Sequence, residues 1–182
     1  QYLKLIRTYY PDAKSEVDKD WPPPKGEPIH VSIYLDSDHA GNRKDRRSIT
    51  GLILFLNKMP YRWFSKRQTC VEASTFGAEF SAVRTGVEEA IAITHTCKSL
   101  GIPLDGPIEI FCDNKSVVDN STIPGSSLKK KHTSIAFHMC REAQAAGICI
   151  LRHIPGTENP ADILTKSLPS TVYWKHVWNF MT

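Results

Sequence analysis

The sequence predicts an α/β domain: a mixed five-stranded sheet with helices on its faces, in the order β-β-β-α-β-α-α-β-α. Three observations carry this. Successive apolar runs early in the chain, joined by short polar turns, indicate an antiparallel meander. A long stretch then switches to helical spacing. Beyond it, short apolar runs alternate with helical ones, the pattern of strands joined by helices. At 182 residues the chain fits one domain with a good core and some flanking structure.

Residues 1–28 read as a flanking piece: a partly helical start without a core of its own, then the stiff proline linker Asp20-Trp-Pro-Pro-Pro-Lys-Gly-Glu-Pro28. The domain is expected over 29–169. Ile29, Val31, Ile33 and Leu35 alternate with polar neighbours, so this strand has one apolar face. Ile49 to Leu56 is the second strand, Asn57-Lys-Met-Pro a turn, and Tyr61 to Ser65 the third strand. From Ser74 to Leu100, Phe80, Val83, Val87, Ile91 and Thr94 fall at helical spacing, with Ser74 or Thr75 as cap and Gly101 as stop. Ile108 to Cys112 is a short buried strand, Asn114 to Asp119 a short helix, and Ser126-Ser-Leu-Lys-Lys-Lys131 opens a longer one. Ile148 to Ile154 is the fifth strand. A helix is expected from Ala161, and a final aromatic one over 170–182.

The five cysteines have no Cys-x-x-Cys pair and read as reduced, mostly buried small hydrophobes. No apolar run has membrane-spanning length and no signal peptide is visible. Starting at Gln1, the chain reads as a piece of something longer. The net charge of +4 is mild, but cations cluster at Arg43, Lys44, Arg46 and Arg47, at Arg62, Lys66 and Arg67, and at Lys129 to Lys131. Interleaved with acids, such clusters suggest a phosphate-binding face. Trp63 and Trp174 read as core.

Four acids sit in separate segments, each at a strand end or on a helix that can pack beside one: Asp36, Glu79, Asp113 and Asp162. A buried acid is costly unless it is paired or binds a cation. Four converging acids require divalent metal, and two such ions would support in-line displacement at phosphorus.

The strings Asp36-Ser-Asp-His-Ala-Gly, Asp45-Arg-Arg-Ser-Ile-Thr-Gly51, Ala78-Glu-Phe, Cys112-Asp-Asn-Lys-Ser and Pro160-Ala-Asp-Ile-Leu-Thr-Lys-Ser-Leu-Pro169 resemble, in order, the ribonuclease H domain of Ty1/copia-type retrotransposon polyproteins. The likeness runs from about Ile29 to Pro169, and Gln1-Tyr-Leu-Lys resembles the end of the reverse transcriptase connection. It implies an RNase H-like fold and hydrolysis of the RNA strand of RNA–DNA hybrids during reverse transcription. It implies two Mg²⁺ ions held by the four acids, for which Mn²⁺ can substitute. It also implies a reverse transcriptase in cis, no membrane, and a place inside the cell, in a cytoplasmic virus-like particle.

Substrate groups are expected at Ser37, at Asn114 toward a 2′-hydroxyl, and at Lys131, His132, His138 and Arg141. Lys131, Ser134, His138 and Arg141 share one helix face. Asp38 and His153 are left without a role, and the oligomeric state is open. Two other readings stand beside the nuclease: a non-catalytic nucleic-acid-binding or interaction module on the same fold, and an integrase-like strand transferase. Retention of all four acids disfavours the first. The strings around Asp113 and Asp162 disfavour the second.

Overall fold

The computed structural model describes residues 2–39, 46–69, 71, 74–123 and 134–181. Its strands are β1 (Val31–Asp38), β2 (Ile49–Leu56), β3 (Met59–Arg67), β4 (Ile108–Cys112) and β5 (Cys149–His153). Its helices are α1 (Tyr2–Tyr9), α2 (Thr75–Ser99), α3 (Lys115–Thr122), α4 (Ser134–Ala145) and α5 (Ser170–Met181). The strands form one mixed sheet in the order β3-β2-β1-β4-β5. The meander is antiparallel, and β4 and β5 are parallel to β1 and to each other. Among the described residues no helix is long and apolar enough to cross a membrane.

Alternation along the strands separates two faces. Val31, Ile33 and Leu35 of β1, Leu52 and Leu54 of β2, and Ile108, Ile110 and Cys112 of β4 lie in one core with Phe80, Val83 and Val87 of α2. The opposite face carries Tyr34, stacked on Phe111 at 4.8 Å and edge-on to Phe55 at 5.6 Å. Asp36 belongs to that second face, by its position two residues after Tyr34.

Helix α2 starts where the cap residue dictates: Ser74 Oγ accepts the Gly77 N–H at 3.2 Å. It stops at Gly101, whose φ of +68° ends the helical run. Midway, Gly86 lets the helix sit directly on the central strand, because a Cβ there would come 2.6 Å from Leu35 Cδ1.

The structure corrects several expectations. Helix α1, in the segment expected to lack a core of its own, packs on the domain: Ile6 is fully buried and Arg7 Nε donates to Ala145 O at 2.9 Å. β3 is longer than expected, because β2 offers it a partner at Met59 and at Arg67. Trp63 and Trp174 are not core: Trp63 is 61% and Trp174 52% exposed. Trp63 lies on an edge strand, opposite Ile53. The four described cysteines are free and buried, as expected; Cys70 lies outside the described residues. The lysines Lys129 to Lys131, and Arg43 and Lys44, also lie outside them.

Gly86→Ala should destabilise the fold by about 1–3 kcal/mol, the usual cost of forcing a methyl group into a filled core. A lower urea midpoint with an unchanged m-value is the expected readout.

Candidate active site

The sheet order places the carboxyl ends of β1 and β4 side by side, with Leu35 paired to Cys112. Asp36 follows the first of these residues and Asp113 the second, so the two acids meet at the same edge. Glu79 descends from the second turn of α2, and Asp162 arrives on the segment that crosses beneath β1 and β2. Oxygen atoms of Asp36, Asp113 and Asp162 lie within 4.8 Å of one another, and Glu79, Cys112 and Asp113 form a second such group. All four acids singled out in the sequence therefore converge, with Asp113 common to both groups.

Asp162 is held differently from the expectation. It lies in a 3₁₀ turn, Pro160–Leu164, and not at the start of an α-helix. A short 3₁₀ turn supplies little dipole, so its carboxylate is compensated by a side chain instead. That side chain is Lys166, whose Nζ lies 2.9 Å from Asp162 Oδ1 and 3.0 Å from Asp36 Oδ1. Thr165 Oγ1 donates to the other oxygen of Asp36, which is fully buried. Two positions bring this segment close. Asn159, itself buried, donates from Nδ2 to Leu35 O at 2.8 Å and accepts from Ala161 N at 3.2 Å. Gly51, paired to Asp36, leaves room where a Cβ would come 2.8 Å from Thr165 Cγ2 and 3.0 Å from Ala161 O.

Burial pushes the Glu79 carboxyl up to about 9, with the Asp113 and Asp36 charges adding to the effect. Metal-free Glu79 is thus protonated at neutral pH. Burial likewise raises Asp113, helped by Asp36, and raises Asp162 against the opposing bond from Lys166. Burial works to lower the Lys166 ammonium, but its bonds to Asp162 and Asp36 prevail and raise it.

The donor set fits a hard divalent cation. Four carboxylates supply oxygen only, the ligand type that Mg²⁺ and Mn²⁺ take. The neighbouring soft donor, Cys112 Sγ, is buried in the core 4.0 Å from Glu79 Oε2, and burial raises its thiol far above the usual range. Gly156 leaves space beside Asp113, since a Cβ there would lie 3.3 Å from Asp113 Oδ2.

The expected substrate groups fare unevenly. Ser37 alternates onto the helix face, where it is buried and its Oγ lies 3.5 Å from Gln68 Nε2; it offers nothing to a ligand. Arg141 is 2% exposed, donates to Ile123 O at 3.0 Å, and stands 4.9 Å from the Phe137 ring. It is a core cation under aromatic cover, because helical spacing does not say which side of α4 the neighbours occupy. His138 is exposed, but its Nδ1 is engaged by the Tyr10 hydroxyl at 2.7 Å. Asn114 caps α3 through Oδ1, which accepts from Val117 N at 3.2 Å, so only its amide nitrogen is left to face a ligand. Lys131 and His132 lie outside the described residues. His153 ends β5 with Nε2 3.1 Å from Asp113 O, and Asp38 is in strand rather than in a turn, outside both acid groups.

Sequence reasoning missed Gln68, whose Nε2 donates to Thr50 Oγ1 and to Ala78 O, each at 2.9 Å. It ties the backbone beside Glu79 to β2. Nothing local marks it, whereas Thr165 and Lys166 stood in a recognised string without a role.

Lys166→Met should lower the melting temperature of the metal-free chain, by the equivalent of about 2 kcal/mol, between surface and buried ion-pair values. It should also enlarge the upward shift produced by Mg²⁺, since no ammonium then competes for Asp36 and Asp162. Calorimetry with and without Mg²⁺ reads both. In the unfolded chain Glu79 ionises near 4.5, whereas in the fold it keeps its proton up to about 9. Its burial therefore costs nothing below the first value and increasingly more as pH rises toward the second. Metal-free stability should fall across that window, and Glu79→Gln should flatten the slope in a pH series of urea melts.

No family model matches the chain. It is 32% identical over 149 residues, 82% of its length, to the Retrovirus-related Pol polyprotein from transposon RE1 of Arabidopsis thaliana. It is 32% identical over 136 residues, 75% of its length, to the corresponding polyprotein from transposon TNT 1-94 of Nicotiana tabacum. It spans about 10% of each of these relatives. Among solved structures, the N-terminal RNase H domain of Rv2228c from Mycobacterium tuberculosis matches with a TM-score of 0.57 at 14% identity, over 82% of this chain and 97% of that one. LC11-RNase H1, solved in complex with RNA/DNA hybrid, matches with a TM-score of 0.57 at 18% identity, over 74% of this chain and 93% of that one. Prototype foamy virus protease-reverse transcriptase matches with a TM-score of 0.52 at 13% identity, over 87% of this chain and 21% of that one. By sequence the chain belongs with the Pol polyproteins of Ty1/copia-type retrotransposons, and by architecture it has the RNase H-like fold.

Proposed function

We propose that this chain hydrolyses the RNA strand of RNA–DNA hybrids, beside a reverse transcriptase in the same polyprotein, with Asp36, Glu79, Asp113 and Asp162 holding divalent ions. The observation that carries this is the convergence of the four acids from separate segments onto one edge of the sheet. The relatives are retrovirus-related Pol polyproteins from transposons, and one neighbour of the same fold was crystallised on a hybrid.

The chain's own residues divide the work. Asp36 and Asp113 offer ligand oxygens from adjacent strand ends, and Asp162 offers its own from the 3₁₀ turn. Glu79 gives up its carboxyl proton to join them, and Lys166 leaves the space between Asp36 and Asp162. Bound ions would supply activation of water and stabilisation of the departing 3′ oxygen. The Asn114 amide nitrogen, beside Asp113, would bond the 2′-hydroxyl that distinguishes RNA from DNA.

Asp113→Asn keeps the size of the side chain and removes one ligand charge. It should reduce cleavage of a labelled RNA–DNA hybrid at least about a hundredfold, as expected when charge stabilisation of the transition state is lost. Circular dichroism should be unchanged. Near wild-type cleavage by the variant overturns the assignment. Wild-type binding to hybrid without cleavage, with Mg²⁺ present, favours the non-catalytic module.

A further inference from the structure

Outside the acid cluster, the edge strand β3 and helix α2 enclose a cleft of about 520 Å³. We propose that this cleft receives phosphates of the nucleic-acid strand where it leaves the active site. The inference rests on the reading of the chain as a hybrid-directed nuclease.

The lining settles the chemical class. Phe64 is the one apolar side chain among the described residues that line it, so the cleft has little to offer an apolar ligand. Arg62, Lys66, Arg67 and Arg84 outnumber the acids Glu88 and Glu89. Those acids are already used: Glu89 pairs with Arg62 at 3.2 Å and Glu88 with Arg84 at 2.9 Å. The Lys66 ammonium has no partner among the described residues, and it is exposed. An ammonium left uncompensated among further cations on one wall favours a polyanion.

The register settles the place. Ser37, next to Asp36, pairs with Thr50, and Thr50 pairs with Lys66. Lys66 is therefore two strand spacings from the catalytic strand, roughly 10 Å. Thr50 and Gln68 line the same end of the cleft, and Gln68 also bonds the carbonyl preceding Glu79. That end of the cleft therefore lies beside the backbone of Glu79, with Gln68 between the two. Glu88 and Glu89 lie further along α2, away from its catalytic end. Helix α2 starts at the catalytic end and has no acid in its first turn, so its N-terminal partial charge adds to the positive field.

Lysine on an edge strand also prevents sheets from pairing with one another. Lys66 is placed for more than that. It shares a strand face with Phe64 and Arg62, and Arg62 reaches α2 through Glu89. Its side chain therefore belongs to the wall facing the helix, not to the outward face of Trp63.

The test measures binding by fluorescence anisotropy, in chelator so that no strand is cut. One probe is a short blunt RNA–DNA hybrid. The other is the same hybrid extended by single strand at each end. Lys66→Glu should weaken binding of the extended probe about five- to tenfold at low salt and lower the log–log salt slope by about 0.7–0.9 per lost phosphate. The blunt probe should be affected less. Glu88→Gln should tighten the extended probe. Lys25→Glu, the same charge change in the exposed linker, is the control. Equal weakening by Lys66→Glu and Lys25→Glu shows an effect of net charge alone and overturns the cleft, as does equal weakening on both probes. A wild type that binds with these Lys66 signatures but cleaves nothing with Mg²⁺ overturns the nuclease reading and leaves the cleft standing. A wild type that cleaves, with Lys66→Glu matching the control, overturns the cleft alone.

Discussion

A carboxylate without solvent sits at the centre of this molecule, and the arrangement around it follows from that charge. Asp36 is fully buried on the middle strand of the sheet. An isolated charge there would be prohibitively costly, so the fold must bring compensation to it. It does so with Lys166 and Thr165, both from a segment about 130 residues further along. That segment can reach Asp36 only if β2 presents no side chain in the way. Gly51 meets this condition, and Asn159 fastens the segment to the backbone of β1. Helix α2 approaches from the other face under a similar constraint, set by Gly86 against Leu35.

Stability and function pull in opposite directions at this edge. Burial, with repulsion among the acids adding to it, raises Glu79, Asp113 and Asp162, so the site disfavours charge without cations. One ammonium offsets part of this effect. It bridges Asp36 and Asp162, and it leaves Glu79 to protonation. Under the proposed function, ion binding exchanges a lysine and a proton for metal. Metal affinity, pH and stability are then linked quantities rather than separate properties.

The flanking helices show how little helical spacing says about direction. Arg141 shares a periodic face with His138 on paper, yet it is enclosed by Phe137 and the ends of α1 and α3, while His138 lies at the surface. The reason is α1, whose Ile6 and Arg7 dock on the domain and whose following tyrosines cover that arginine. A segment that reads as a tail supplies part of the wall. The converse holds at Trp63 and Trp174, apolar residues that look like core and remain exposed because no element among the described residues buries them.

The sequence by itself determined the sheet and its helices, because alternation in β1 and helical spacing in α2 are local patterns read over a few residues. It also determined the four acids, because each ends a strand or rides an element whose placement follows from the topology. Tertiary structure decided the rest. Whether Ser37 faces ligand or helix depends on the parity of a strand that runs on past Asp36. Whether Arg141 touches water depends on a helix that begins at residue 2. Gln68 reaches Ser37, and Thr165 and Lys166 reach Asp36, only across long stretches of chain, through contacts that no local pattern encodes. The physical reason is common to all of them: a hydrogen bond or ion pair is specified by position in space, and hydrophobic periodicity specifies only which side of an element is buried.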